Sequence, residues 1–435
     1  MTAQPQTGCI IAAPHSGAGK TLITLGILRA LKRAGQAISS AKVGPDYIDP
    51  AFHALACGAP CVNLDSWAMG RDLVHGLAGR LDGLVIVEGV MGLFDGADDG
   101  TGSTADIATI LDLPVILIVD ARAQSWSAAA LLHGFKTFRD DVKIAGVIFN
   151  RVGSPRHAVL LKKAAAQVEV PVLGCLPRIE QLAMPSRHLG LVQAAEQTDI
   201  NSLIEHAADC VTEHIDLALL QSICTPLAQS HDETNPLPPL GQRIAIARDD
   251  AFSFAYHHLL NGWREAGSEI LPFSPLANEA PDISADTVFL PGGYPELHAG
   301  LLSANTVFLD GLRACAKQAL IYGECGGFMV LGEHLIDAEG EAHPMAGLLP
   351  VSTSFEKRIR HLGYRKLTHD SPLPWSKKLR GHEFHYSTLT ASREGAPLFE
   401  AVNATGEPQT TMGYVQERIM GSYAHVIAPE WSAKP

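Results

Sequence analysis

The sequence predicts an α/β protein of two doubly wound domains, each a mostly parallel sheet flanked by helices. Three observations carry this. From Ile10 to Leu176, short apolar runs alternate with helical stretches, the order a parallel sheet demands because each crossover needs a helix. A Pro-rich, aperiodic stretch over residues 225–242 interrupts that order and reads as a linker. Two junctions, around Lys20 and Cys325, have glycines where a strand must turn sharply into a helix. The expected boundaries are a first domain over 1–224, the linker over 225–242 and a second domain over 243–435.

With 435 residues, 46% of them hydrophobic and 18% charged, the chain can bury large cores, and length alone suggests two to three domains. No apolar run reaches the roughly 20 residues of a membrane span, and the first residues lack the basic and apolar regions of a signal peptide, so a cytoplasmic protein with no membrane partner is expected. The eight cysteines are scattered without metal-ligand spacing; Cys57 and Cys61 are the nearest pair, and no second pair accompanies them. That usage fits a reducing compartment. A formal net charge of −13 argues against a nucleic-acid partner. An anionic substrate must therefore meet a local basic patch.

In the first domain the apolar run from Ile10 leads into Ala13-Pro-His-Ser-Gly-Ala-Gly-Lys20-Thr21, followed by Leu22, Leu25, Leu28 and Leu31 at helical spacing. Strand, glycine-rich turn and helix N-terminus form the layout of a phosphate-binding loop. The backbone of Ser16, Gly17, Ala18 and Gly19 can turn its N–H groups onto phosphate oxygens, Lys20 adds a point charge, and the Thr21 hydroxyl suits Mg²⁺. Pro14 stands where the strict pattern has its first glycine. Gly35 closes the next turn, and Ala37–Val43 reads as a second strand running into Lys42-Val-Gly-Pro-Asp46-Tyr47-Ile-Asp49. Open α/β sheets bind ligands at this carboxyl edge, although Asp beside Pro also suits a solvated turn. Leu84-Val-Ile-Val-Glu88 is a buried strand that delivers one acid, so Thr21, Asp46 and Glu88 are the expected metal site. The Gly-rich stretch to Gly102, with Asp95, reads as a mobile loop. Val115–Asp120 and Ile144–Asn150 are two more buried strands, and Asn150 is a candidate for reading the nucleotide base. A sixth strand from Val172 precedes Arg187 and His188, which suit either a substrate carboxylate or a solvated loop.

Arg243-Ile-Ala-Ile-Ala opens the second domain. Thr287–Leu290 ends in Pro291-Gly-Gly-Tyr-Pro-Glu296, and Leu320-Ile-Tyr ends in Gly323-Glu-Cys325-Gly-Gly327 before an apolar helix start. Glycine two residues either side of a nucleophile is the elbow arrangement, which holds a side chain in a strained turn at the top of a sheet. A free thiol is weakly ionised at neutral pH, so the helix N-terminus and a nearby imidazole are expected to lower its pKa. His425, after Gly421-Ser-Tyr-Ala, is the expected base. Glu356–Lys366 alternates as a basic strand, and His382, His385 and Tyr386 follow in Gly381-His-Glu-Phe-His-Tyr-Ser387. With Arg187 and His188, these are expected to hold a polyanion in the cleft between the domains; the alternative is a solvated basic strand.

Taken in order, these motifs, together with Asn63-Leu-Asp-Ser66, Val-Glu-Gly-Val-Met-Gly-Leu-Phe-Asp-Gly and Ser-Arg-His-Leu-Gly-Leu, resemble the cobyrinic and hydrogenobyrinic acid a,c-diamide synthases over nearly the whole chain. The resemblance implies a P-loop synthetase domain related to dethiobiotin synthetase and a class I glutamine amidotransferase domain. It implies that Cys325 attacks the carboxamide of L-glutamine with His425 as base, and that N–H groups near Gly293 and Gly326 form the oxyanion hole. Ammonia, released from glutamine or supplied free, then meets a corrinoid carboxylate activated by ATP and Mg²⁺ as an acyl phosphate, and the a and c acetates are amidated. Asp46, Tyr47, Asp49, Arg187, His188, His382, His385 and Tyr386 are the implied substrate contacts. A metal-free or cobalt corrinoid, and a homodimer, stay open. The rival readings are an amidase of another tetrapyrrole, such as nickel-sirohydrochlorin, and a P-loop ATPase with a non-catalytic second half.

Two departures stand out. Class I amidotransferases usually complete their triad with a Glu two residues after the His, and Ile427 occupies that place, which leaves the group orienting His425 open and glutamine hydrolysis modest relative to use of free ammonia. His15 stands where related deviant P-loop ATPases carry a signature lysine, which argues against a partitioning ATPase that dimerises across the nucleotide.

Overall fold

The computed structural model describes residues 6–178, 186–187, 190–191, 199–228, 236–392 and 395–431. The chain forms two compact units, residues 1–234 and 235–435. In the first, β1 (Thr7–Ala12), β2 (Ile38–Val43), β3 (Cys61–Leu64), β4 (Leu84–Glu88), β5 (Val115–Asp120), β6 (Ile144–Val152) and β7 (Val172–Pro177) make a sheet in the order β3-β2-β4-β1-β5-β6-β7. These strands pair in parallel throughout. Every residue of β5 is buried, as a strand covered on both faces requires. Each fully buried Leu or Ile there contributes about 1.5–3 kcal/mol.

The chain leaves β1 toward β2 on one side and later returns as β5 on the other. That reversal opens a crevice at the carboxyl end of β1, where the glycine-rich turn lies. The edge strand β3 was not anticipated from sequence. It has four residues, too few for a periodic signal. At the start of the stretch read as a linker, Thr225–Pro226 pairs antiparallel with Thr7 and Gly8 of β1, beside the part of β1 that precedes its pairing with β5 from Ile10 onward. The helix α1 (Lys20–Arg33) begins directly after Gly19, whose φ is 98°. A Cβ there would also lie 2.3 Å from Asn150 Nδ2, so glycine is required both by conformation and by space.

In the second unit the strands Glu269–Phe273, Arg243–Ala247, Thr287–Leu290, Leu320–Glu324 and Ile419–Ser422 lie side by side in parallel, with Tyr414–Gln416 antiparallel at the edge. An antiparallel sheet follows the order Glu400–Val402, His361–Thr368, Lys378–His385, Ala424–Pro429. The expected basic strand is realised only from His361, and residues 356–360 are exposed ahead of it. One residue, Tyr423, separates the strand Ile419–Ser422 from Ala424–Pro429. His425 is thereby carried past the strand end that bears Cys325, because Ser422 pairs with Glu324. Cys325 itself has φ 45° and ψ −104°, a conformation costing about 1–3 kcal/mol that the surroundings must enforce. Gly327 shows how: a Cβ there would fall 1.9 Å from the Leu290 carbonyl oxygen. Among the described residues, no helix is long and apolar enough to cross a membrane.

The helix His257–Glu265 buries His258, Leu259, Leu260 and Trp263. His258 Nε2–H donates to the Ile427 carbonyl at 3.0 Å, and burial lowers the pKa of this imidazole to about 4. A folded-state pKa below the unfolded one means stability that is complete above about pH 6.5 and is lost as pH falls toward 4. The parent should lose about 3 kcal/mol relative to His258→Gln between pH 7 and pH 4. Urea denaturation followed by tryptophan fluorescence measures the difference, and an offset that stays constant with pH would refute it.

Candidate active sites

The register of β2 with β4 sets Lys42 beside Glu88. Lys42 Nζ donates to Glu88 Oε1 at 2.9 Å and to Asp49 Oδ2 at 2.5 Å. Thr21 Oγ1 donates to Glu88 Oε1 at 2.7 Å and lies 3.4 Å from Asp49 Oδ2. From the helix α2 (Asp49–Cys57), His53 Nε2 contacts Glu88 Oε2 at 2.7 Å. Burial alone would push the Glu88 carboxyl up, but Lys42 and His53 outweigh it and hold the group well below its ordinary range. His53 is raised to about 10, since the Cys61 sulfur and Glu88 overcome its burial. Burial and the neighbouring Asp46 push Asp49 up to about 7, while burial and Lys42 bring Lys20 down to about 8.

Three sequence expectations change here. Asp46 does not stand with Thr21 and Glu88: its Oδ1 accepts the backbone N–H groups of Ile48 and Asp49 at 2.8 and 3.3 Å. Asp49 takes that place, so the oxygens that fit a hard divalent cation are those of Thr21, Asp49 and Glu88. Asn150 is not turned outward to read a base. Its Nδ2 donates to the Ala18 carbonyl at 2.9 Å and its Oδ1 accepts the Arg151 N–H at 2.9 Å, so it braces the turn. Arg151 Nη1 donates to the Gly17 carbonyl at 2.8 Å and to Asp120 Oδ2 at 2.6 Å. The Gly-rich stretch expected to be a mobile loop is fastened to this turn by Leu93 N–H to Ala13 O at 2.8 Å, and Lys20 Nζ donates to the Met91 carbonyl at 2.5 Å. Tyr47 is half-buried at the same edge.

In the second unit, Cys325 and His425 converge on Gly292, where an added Cβ would lie 2.4 Å from His425 Cε1 and 3.3 Å from Cys325 Cβ. Gly326 and Gly293 also approach: a Cβ on Gly326 would be 3.1 Å from the Gly293 nitrogen. The thiol is buried, and burial and Glu296 push its pKa up against the pull of the Gly326 N–H. Burial, His382 and His385 push the His425 imidazole well down. The expected lowering of the thiol pKa therefore does not hold. The pair rests as neutral thiol and neutral imidazole, because depth outweighs one short helix end.

His382 and His385 are corrected as well. Both are buried, and they belong to this site rather than to a basic surface. His382 stacks on His425 at 4.8 Å and 9°. His385 stacks on Tyr423 at 3.6 Å and contacts Glu383 Oε1 at 2.9 Å. Arg365 donates twice to Glu383 Oε2, at 3.0 and 2.8 Å. Tyr386, half-buried, accepts the Ile359 N–H on its carbonyl at 3.1 Å. Arg187 lies in the two-residue strand Ser186–Arg187, and His188 lies outside the described residues. Sequence reasoning missed Lys42, His53, Glu324 and Glu383. The available signal was a charged residue inside an otherwise apolar strand pattern, plain for Lys42 and Glu324 and faint for the others.

Two family models match this chain. Residues 9–192 fit the CobQ/CobB/MinD/ParA nucleotide binding domain and residues 243–431 the CobB/CobQ-like glutamine amidotransferase domain. A protein of Brucella anthropi named hydrogenobyrinate a,c-diamide synthase is 53% identical over 97% of this chain and 98% of its own length. Proteins of the same name from Rhodobacter capsulatus and Rhizobium meliloti are 51% and 49% identical, over 97% of this chain and 98% and 99% of theirs. The register that joins Lys42 to Glu88 and the elbow that presents Cys325 lie in the two matched segments, and the chain belongs to the hydrogenobyrinate a,c-diamide synthase family.

Proposed function

We propose that the chain is an ATP-hydrolysing carbon–nitrogen ligase that amidates the a and c acetate side chains of hydrogenobyrinic acid, with glutamine as nitrogen donor. One observation carries this reading: a phosphate-cradling turn beside a buried cationic and acidic cluster, and a thiol on a strained elbow beside an imidazole, occur in one chain. The name borne by relatives at 49–53% identity supports a metal-free corrinoid as substrate.

In the second unit, Cys325 Sγ attacks the carboxamide carbon while His425 takes the thiol proton and returns it to the departing ammonia. The N–H groups of Gly293 and Gly326 stabilise the oxyanion, and water then releases glutamate from the thioester. In the first unit, the turn from Ser16 to Gly19 and Lys20 hold the triphosphate of ATP, so that a corrinoid carboxylate oxygen attacks the terminal phosphorus and ADP departs with the bridging oxygen. The acyl phosphate that forms has a good leaving group, which a free carboxylate lacks, and ammonia displaces it. Thr21, Asp49 and Glu88 would hold Mg²⁺, which neutralises phosphate charge when bound. Lys42 and His53 keep Glu88 ionised and fixed, and Lys42 also holds Asp49 in place. No membrane or nucleic-acid partner enters this scheme, and a cytoplasmic setting suits its substrates.

Cys325→Ala should lower glutamine-supported synthesis by at least about a thousandfold while ammonium chloride still supports it, with product followed by mass. Loss of both activities in a folded variant would refute separate sites. Lys20→Ala and Glu88→Gln should each lower turnover about a hundredfold or more with either nitrogen source. Near-parental rates for Glu88→Gln at limiting Mg²⁺ would remove that residue from the metal site.

A further inference from the structure

A histidine that accepts a thiol proton on one ring nitrogen must be held by the other, or the wrong tautomer and the wrong ring orientation are populated. The strand that carries His425 offers nothing two residues on: Ile427 is an apolar side chain, 1% exposed, and its carbonyl already receives the His258 N–H. A carboxyl group reaches the ring from a different strand. Glu324, the residue before the nucleophile, has its Oε2 3.8 Å from His425 Nδ1, and both side chains are almost wholly buried.

Three features make this more than proximity. Glu324 Oε1 accepts the Val426 N–H at 3.1 Å and the Tyr322 hydroxyl at 3.0 Å. One oxygen is thus tied to the residue next to His425, and the second is left aimed at the imidazole. The strand register supplies the alignment, because Glu324 pairs with Ser422, three residues before His425. The His382 ring, stacked at 4.8 Å and 9°, fixes the plane of the imidazole from the side. A fully buried carboxyl is also costly to keep for structure alone, since an apolar residue would fill the same volume without desolvation. At 3.8 Å the contact is longer than a hydrogen bond, as catalytic contacts often are before substrate tightens them.

We propose that Glu324 is the positioning residue for His425, its carboxyl oxygen accepting Nδ1–H so that the lone pair on Nε2 takes the Cys325 proton. Its carboxyl thereby replaces the acid that class I amidotransferases usually carry two residues after the histidine. The proposal rests on the reading of Cys325 and His425 as nucleophile and base. The step it serves moves one proton from Sγ to Nε2 as the S–C bond forms, and Glu324 gains and loses none.

The test uses the full chain. Glutaminase kcat and KM are measured for the parent, Glu324→Gln and Cys325→Ala, with synthesis supported by glutamine and by ammonium chloride read as a ratio. Glu324→Gln is expected to lower glutaminase kcat about a hundredfold, to leave KM for glutamine within about twofold, and to lower the glutamine-to-ammonium ratio in step with kcat. A kcat within about twofold of the parent overturns the proposal. Imidazole ¹⁵N shifts of His425 in the unaltered protein, assigned by their loss in His425→Asn, give a readout that needs no folded Glu324 variant. The Nδ1–H tautomer is expected at neutral pH, and the Nε2–H tautomer overturns the proposal. If Cys325→Ala retains glutaminase activity, the reading of the site itself fails, whatever Glu324 does.

Discussion

A carboxylate closed off from water is stable only if its counter-charges are built in beside it, and Glu88 imposes that condition on the first unit. Its side chain has no exposure, and Lys42 and His53 lie on its two oxygens at 2.9 and 2.7 Å. Lys42 comes from β2, His53 from α2 and the Thr21 hydroxyl from α1, so one acid fixes the mutual placement of two strands and two helices. Buried ion pairs are poor stabilisers, and well-packed apolar residues of the same volume often serve a fold as well or better. A four-residue charged cluster at the carboxyl edge of a parallel sheet is therefore better explained by ligand chemistry than by stability. It presents oxygens at fixed positions, which is what the proposed phosphate-bound cation needs.

The second unit meets the same constraint in the opposite way. Burial raises Glu324 to about 8 even though the Val426 N–H and the Tyr322 hydroxyl favour its ionised form. Burial lowers His382 to about 3. The thiol is pushed up and the base pushed down, so this pair rests uncharged. In the proposed reaction, charge appears only when glutamine is present to accept it, with the oxyanion and imidazolium forming together among dipoles already in place. A thiolate standing ready would react with any electrophile that entered. On that proposal, a neutral pair on a strained turn confines its reactivity to a substrate whose carbonyl sits at the Gly293 and Gly326 amides.

The parts legible in the sequence were those in which local chemistry breaks a pattern. An apolar run that ends in one acid marked Glu88, paired glycines marked both turns, and alternating runs marked six of the seven parallel strands of the first sheet. What escaped depended on direction rather than identity. Asp46 and Asp49 are three residues apart in sequence, and only the start of α2 decides that the first bonds to backbone while the second faces Thr21. His382 and His385 look like part of a basic surface because the sequence shows their charge type and not their depth. Alternation gives the face of a strand a residue occupies, but not whether that face is covered by solvent or by Tyr423. Glu324 was passed over because the nucleophile beside it explained the motif already.

The glycine-rich turn carries the last step. Its N–H groups can converge on phosphate only if the carbonyls between them are turned away and satisfied, since buried or crowded carbonyls without donors are unfavourable. Three successive carbonyls find donors outside the loop backbone: Ser16 O contacts His15 Nδ1 at 2.7 Å, Gly17 O receives Arg151 and Ala18 O receives Asn150. Arg151 holds this position with φ at 58°, a strained value for a long side chain, and Asp120 anchors its guanidinium. The ends of β5 and β6 thus work as a brace on the turn. The cost of ordering the cradle is met when the chain folds, so less of the nucleotide's binding energy is consumed in shaping it and more is available for the transition state.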